Sequence, residues 1–281
     1  MDPPMRSRRI RGLVAAATAL VGAVLISALA GISLWTRAGL QIDTHAMDAV
    51  YARSDVLTQI LRYLGYISIG TAGVVLLVLV AVAFARGDRR AALGAIVLVG
   101  GSNVTTQVIK RYILDRPDWF DRLPNSLPSG HTTMIVSLVL AGLIVVPSAL
   151  RYPSVMGATA LATLTGPSTV VAGWHRPAAV LAALSVCLTW GAVVALFVRR
   201  PTEYRRVPTL LWSFGGAIAA GAVLITIGVR PLGGWTGFID AAVVLSVLGI
   251  ATALTITVFA LVISPFQVRR AGDGAEDRAQ P

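Results

Sequence analysis

Apolar residues in this chain run in long blocks separated by short polar segments. A membrane-crossing helix needs about 20 mostly apolar residues. Eight blocks approach that length, near 13–35, 66–85, 91–109, 131–149, 154–173, 178–198, 208–229 and 238–264. The pattern predicts an all-α, polytopic membrane helix bundle, and no internal repeat is detectable. Between the first two blocks, Asp43 is placed to cap a helix in which Met47, Val50, Tyr51, Leu57, Ile60, Leu61 and Leu64 form an apolar stripe. That predicts a helix over about 43–62 lying on the outer membrane surface. The tail from Ala271 is Gly- and acid-containing without apolar periodicity, and is expected to be disordered.

Composition agrees with the blocks. Of 281 residues, 56% are hydrophobic and only 13% charged, about half the charged share of a soluble domain. The net charge of +11 raises the question of a nucleic-acid partner, but the positions of the charges answer it. Arginines crowd into short segments between apolar blocks: Arg6 to Arg11, Arg86 to Arg90, Arg199 to Arg206, and Arg269 with Arg270. Basic residues so placed fix topology on the cytoplasmic side of a membrane. Alternating from a cytoplasmic N-terminus puts 86–90, 150–153, 199–207 and the tail inside, and 36–65, 110–130, 174–177 and 230–237 outside. Trp35, Trp119, Trp174 and Trp235 then fall near the outer interface, where amphipathic rings are favoured. The basic start and the small-residue stretch Ala28-Leu29-Ala30 also have the look of a cleavable signal. The apolar run continues through Trp35, so a span is the preferred reading. Cys187, the only cysteine, lies inside an apolar block and forms no intrachain disulfide.

Ionisable groups are rare in membrane segments, so their positions inform. The only lysine, Lys110, and two of the three histidines, His131 and His175, fall at outer ends of predicted spans. The 43 residues between the histidines suit one crossing inward, a turn and one crossing back. Both imidazoles thereby return to one face, with Lys110. His45 has no partner motif and is read as structural. Asn103, Thr106 and Gln107 lie on one helical face before Lys110 and are read as interhelical hydrogen-bonding groups.

Lys110-Arg111-Tyr112-Ile113-Leu114-Asp115-Arg116-Pro117 leaves the membrane with three cations. Pro128-Ser129-Gly130-His131 opens the fourth span, with Ser129 placed to cap it, Gly130 allowing close approach, and first-turn N–H groups forming an anion site. Ser168-Thr169-Val170-Val171-Ala172-Gly173-Trp174-His175 closes the fifth. Cations, a helix N-terminus and two histidines on one surface make a site for phosphate. One histidine can attack phosphorus and the other protonate the leaving oxygen, while cations and N–H groups stabilise the equatorial oxygens.

These segments resemble the type 2 phosphatidic acid phosphatase superfamily of lipid phosphate phosphatases, in its bacterial integral-membrane branch. Its motifs are Lys followed by Arg-Pro, then Pro-Ser-Gly-His, then Ser-Arg, five residues, His, three residues and Asp. The resemblance covers roughly 40–200. It implies a six-helix core, placed here at 1–207, with an additional transmembrane pair at 208–266 and a cytoplasmic tail at 267–281. It further implies that Lys110, Arg116, Ser129, Gly130 and Ser168 bind phosphate, that His131 is the general acid, and that His175 is the nucleophile forming a phosphohistidine. No metal or organic cofactor is implied. The implied partners are membrane lipids and a lipid phosphate or polyprenyl diphosphate substrate, and no nucleic acid. The implied setting is a plasma (inner) membrane, with the active site outside and both termini in the cytoplasm.

The chain departs from the pattern in three places. Five residues lie between Lys110 and Arg116 where six are usual. Thr169 stands where a phosphate-binding Arg is expected, with Arg111 and Arg176 as compensating cations. Ala179 stands where the pattern has the Asp that would orient the nucleophilic histidine. Asp240, Asp115, Asp118 and Asp121 are the candidate replacements, and Asp240 is equally placed to cap the eighth span. The alternatives to a hydrolase are a degenerate member that binds lipid phosphate without turnover, and a lipid phosphotransferase. A transporter is disfavoured by the lack of inverted repeats or broken mid-membrane helices.

Overall fold

The computed structural model describes residues 3–50, 54–114, 127–198, 204–227 and 234–264. Among them, regular structure is helical throughout. The long helices are α1 (Pro3–Trp35), α2 (Arg37–Asp48), α3 (Ser54–Tyr66), α4 (Ile69–Ala85), α5 (Arg89–Val108), α6 (Gly130–Val145), α7 (Arg151–Val171), α8 (Pro177–Ala195), α9 (Arg206–Ile227) and α10 (Gly234–Val262). A π-helical turn, Ile109–Ile113, continues α5, and a 3₁₀ turn, Ser148–Leu150, precedes α7.

Each predicted apolar block falls on a helix. Among the described residues, five segments are long and apolar enough to cross a membrane: Gly12–Trp35, Arg89–Ile113, Pro177–Ala195, Arg206–Thr226 and Trp235–Val262. Val56–Tyr66 and Ile69–Ala85 together pass the same test but meet at a 53° bend. Helix α6 is apolar but only 16 residues long. Helix α7 is long enough, yet carries Thr159, Thr163, Thr165, Ser168 and Thr169, all buried. It packs among α6, α9, α10 and α3, so those hydroxyls meet protein rather than lipid. Helix α8 is buried nearly all round, between α1, α5, α6 and α10.

One apolar cluster joins Leu98, Leu140, Leu143, Ile144, Cys187, Phe259 and Ile263. Helix α10 therefore shares the core of the preceding helices, and α9 packs against α7 and α10. Lipid tails are as apolar as leucine, so close packing and interhelical hydrogen bonds hold such a bundle. Asn103 Nδ2 donates to Ser137 Oγ at 3.1 Å, Trp190 Nε1 to Thr105 Oγ1 at 2.9 Å, and the Thr106 and Thr133 hydroxyls lie 3.0 Å apart. Such bonds contribute about 0.6 kcal/mol each. At the opposite end of the bundle from the histidines, Arg86 donates to the Val145 carbonyl at 2.7 Å, a cation at a helix C-terminus.

The single surface helix expected over 43–62 is instead two, α2 and α3. Thr36 caps α2, its hydroxyl accepting from Gly39 N at 3.0 Å. Asp43 is thus inside a helix rather than at its start, and its side chain is buried. Val50, Val56, Ile60 and Leu64 form the buried stripe, while Leu61 is partly exposed and Tyr51 lies outside the described residues. The tail 267–281 also lies outside them.

Candidate functional site

Four helix ends meet at one end of the bundle. Helix α5 passes into its π turn, a form that recurs at functional sites. Asn103, Gln107 and Lys110 follow at i, i+4 and i+7, which puts them on one face. Opposite them α6 begins. The Leu127–Pro128 peptide is cis, and Ser129 caps the helix, its oxygen accepting from Thr132 Oγ1 at 2.9 Å. The first-turn N–H groups that follow lack intrahelical acceptors and carry the positive end of the helix dipole.

Helix α7 ends with Gly173 in the left-handed region, at φ 72°, where a glycine is favoured. The turn reverses the chain, and the N–H groups of Trp174 and His175 both donate to the Thr169 carbonyl, at 3.1 and 3.2 Å. Helix α8 starts two residues later at Pro177, a residue suited to the first helical position. The Ser129 N–H donates to the Ala179 carbonyl at 2.9 Å. This bond ties the turn before His131 to the first turn after His175.

Between these ends lies a cleft of about 730 Å³. Lys110, Gly130, His131, His175 and Arg176 line it, from three separate stretches of sequence. Asn103, Gln107 and Trp174 contribute to the same wall system, and the α3–α4 bend adds Ile67, Ser68 and Ile69. The His131 and Trp174 rings pack 5.2 Å apart at 40°. His175 and Arg176 are buried, and His131 is half-buried. A Cβ built on Gly130 meets nothing nearer than Gln107 Nε2 at 3.9 Å, so the space it faces is open. The arrangement offers an anion two cations, a helix start and two imidazoles at close quarters.

Other candidates lie elsewhere. Ser129 is fully buried and occupied with its cap, and Ser168 is buried within α7. Neither hydroxyl lines the cleft. Thr169 donates its hydroxyl to the Gly166 carbonyl at 2.7 Å and is likewise turned inward. Arg111 is exposed on the π turn, outside the cleft. Asp240 is exposed on α10, six residues past its first residue, so it neither caps the helix nor lines the cleft. His45 is exposed on α2. Arg116, Asp115, Asp118 and Asp121 lie outside the described residues.

Sequence reasoning missed Asp43. Its Oδ1 accepts from the Ala178 N–H at 2.9 Å, in the first turn of α8. Burial pushes the carboxyl up to about 6, against the opposing pull of the Ala178 hydrogen bond and of the Arg176 charge. Asn103 and Gln107 were assigned only to helix packing. Asn103 does bond across to α6, yet both line the cleft, which their spacing from Lys110 signals. Nothing in the sequence pairs Trp174 with His131.

No family model, curated protein or solved structure matches this chain.

Proposed function

We propose that this chain is a multi-pass membrane phosphatase that hydrolyses a lipid phosphate or diphosphate on the outer face of the plasma membrane. One observation carries the reading. Lys110, Gly130 with His131, and His175 with Arg176 are far apart in sequence and line one cleft. In the proposed topology the eight helical blocks span the membrane, as six core helices plus α9 and α10, with both termini in the cytoplasm. The lipid headgroup enters the cleft from the interface while its apolar chain stays among the helices. Candidate substrates are phosphatidate, phosphatidylglycerol phosphate and polyprenyl diphosphates.

The reaction proceeds in two steps. An imidazole nitrogen of His175 bonds to phosphorus as the bond from phosphorus to the lipid oxygen breaks, and protonated His131 gives that oxygen its proton. Lys110, Arg176 and the α6 N–H groups hold the equatorial oxygens. Neutral His131 then takes a proton from water, whose oxygen attacks phosphorus. The bond to His175 breaks and orthophosphate leaves.

A second reading has its own observations: Ala179 in place of a carboxylate, and a Thr169 hydroxyl turned away from the cleft. A chain so equipped is a lipid-phosphate binder without turnover, or a phosphotransferase with another acceptor. The deciding experiment is phosphate release from a panel of lipid phosphates by purified protein in detergent, without added metal. His175→Ala and His131→Ala are each expected to lower release by roughly 10³-fold or more, as loss of an acid–base or nucleophilic group does. Release unaffected by His175→Ala rules out the phosphohistidine route. Wild-type silence relieved by Ala179→Asp identifies a binder, and labelled phosphate captured by an added lipid alcohol identifies a transferase.

A further inference from the structure

We propose that Asp43 is a positioning residue of the cleft: bonded to the first turn of α8, its carboxylate fixes Arg176 as the phosphate clamp that Thr169 does not supply. This rests on the phosphate-cleft reading above and assigns a role to a residue on a different helix.

The latch is built from α2. Thr36 starts the helix directly after α1 ends, and Gly39 allows the two to fold close. A Cβ on Gly39 would overlap the Ile32 carbonyl and stand 2.7 Å from Thr36 Oγ1. The fold-back presents Gly39, Leu40 and Asp43 on the buried side of α2, which packs against α1, α8 and α10. Asp43 meets α8 where that helix most needs an acceptor. Arg176 occupies the N-cap without a side-chain cap bond, and Pro177 has no N–H to give. The Ala178 N–H is therefore the first available donor of α8, and Asp43 accepts it. A carboxylate there also meets the positive end of the helix dipole.

Capping alone does not call for such a group. A serine or asparagine at position 176 would cap α8 locally without burying a charge. The chain instead places an arginine at 176, lining the cleft and 8% exposed, with a carboxylate from another helix bonded to the main chain two residues further on. The Ala178 bond holds Asp43 two residues along the chain from Arg176, whose charge favours the ionised carboxyl while burial works against it. An ionised acid maintained at that expense next to a cleft cation is the arrangement expected where the cation's position matters to a ligand. Thr169 brings no charge, and its hydroxyl is already bonded to Gly166.

The test uses the full chain in detergent, with orthophosphate binding read by ³¹P NMR alongside lipid phosphate release. Asp43→Asn retains an oxygen for the Ala178 N–H and removes only the charge. It is expected to weaken orthophosphate binding and raise KM by about tenfold, the order of one charge-assisted contact, with a smaller change in kcat. In an Arg176→Gln background the same change should add nothing, because its effect runs through the guanidinium. Gly39→Ala, which displaces α2 without touching the cleft, should reproduce the loss and decides the matter if Asp43→Asn does not fold. Binding by Asp43→Asn equal to wild type, or losses that simply add in the double variant, overturns the proposal while leaving a phosphatase standing. A wild type that neither binds orthophosphate nor releases it overturns the phosphatase reading itself.

Discussion

Asp43 is pulled in opposite directions by its surroundings, and the balance is measurable. Burial raises its pKa to about 6, while the Ala178 N–H and the Arg176 charge lower it. A raised carboxyl pKa means that the folded state prefers the neutral form. The associated stability is fully present below the ordinary carboxyl value near 4 and is lost as pH rises through about 6. Among the described residues the groups facing it are Arg176 from α8, with His175 one residue away. The described α1 residues facing α2 carry no titratable side chain, and Asp240 of α10 is exposed. Relative to Asp43→Asn, the wild type should therefore lose about 3 kcal/mol of stability between pH 4 and 6.5, from two units at 1.36 kcal/mol each. Unfolding curves of the two proteins that stay parallel across that window would refute the buried-carboxyl account. The sequence made the histidines, Lys110 and Gly130 legible because each sits in a short, chemically unusual stretch. Asp43 was not legible, because its partner is a main-chain N–H 135 residues away. A polar residue ahead of an apolar stripe reads as a cap whether or not it is one.

At the scale of helices, the bend between α3 and α4 has a defined cause. Ser68 caps α4 through a reciprocal box, its hydroxyl accepting from Thr71 N at 3.2 Å while Thr71 Oγ1 accepts from Ser68 N at 3.0 Å. The cap starts a new helix two residues after Tyr66 and sets the 53° angle on a wall of the cleft. Ser68→Ala should cost about 1 kcal/mol, seen as a lower unfolding midpoint in detergent. Thr71→Ala should do the same, and a pair of variants indistinguishable from wild type would show that the box carries no weight. Apolar block length was enough to locate the long helices, because a helix in lipid must satisfy its own backbone. It did not distinguish a helix facing lipid from one enclosed by its neighbours, and within an enclosed helix such as α7 buried hydroxyls can replace apolar side chains. The split of 43–62 into α2 and α3 was invisible for a related reason. An amphipathic stripe continues across a break if both pieces turn the same face inward.

For the whole molecule, the distribution of arginines is the main guide to orientation, and it predicts a clear labelling pattern. In a Cys187→Ala background, a cysteine replacing exposed Tyr66 should react with an impermeant maleimide added to intact cells. One replacing exposed Arg90 should react only after permeabilisation. The reverse pattern would invert the topology and put the cleft in the cytoplasm. The return of both histidines to one end was predictable from crossing arithmetic alone, whereas the width of the cleft and its Trp174 wall depend on packing that no spacing encodes. Native Cys187 adds a property of a different kind. Its sulfur is wholly buried in α8, within reach of the Thr133 carbonyl of α6 at 3.5 Å. A thiol reagent can reach it only when α8 parts from its neighbours. The unmodified chain thus carries its own clock for core breathing, and its labelling rate reports how often the membrane bundle opens.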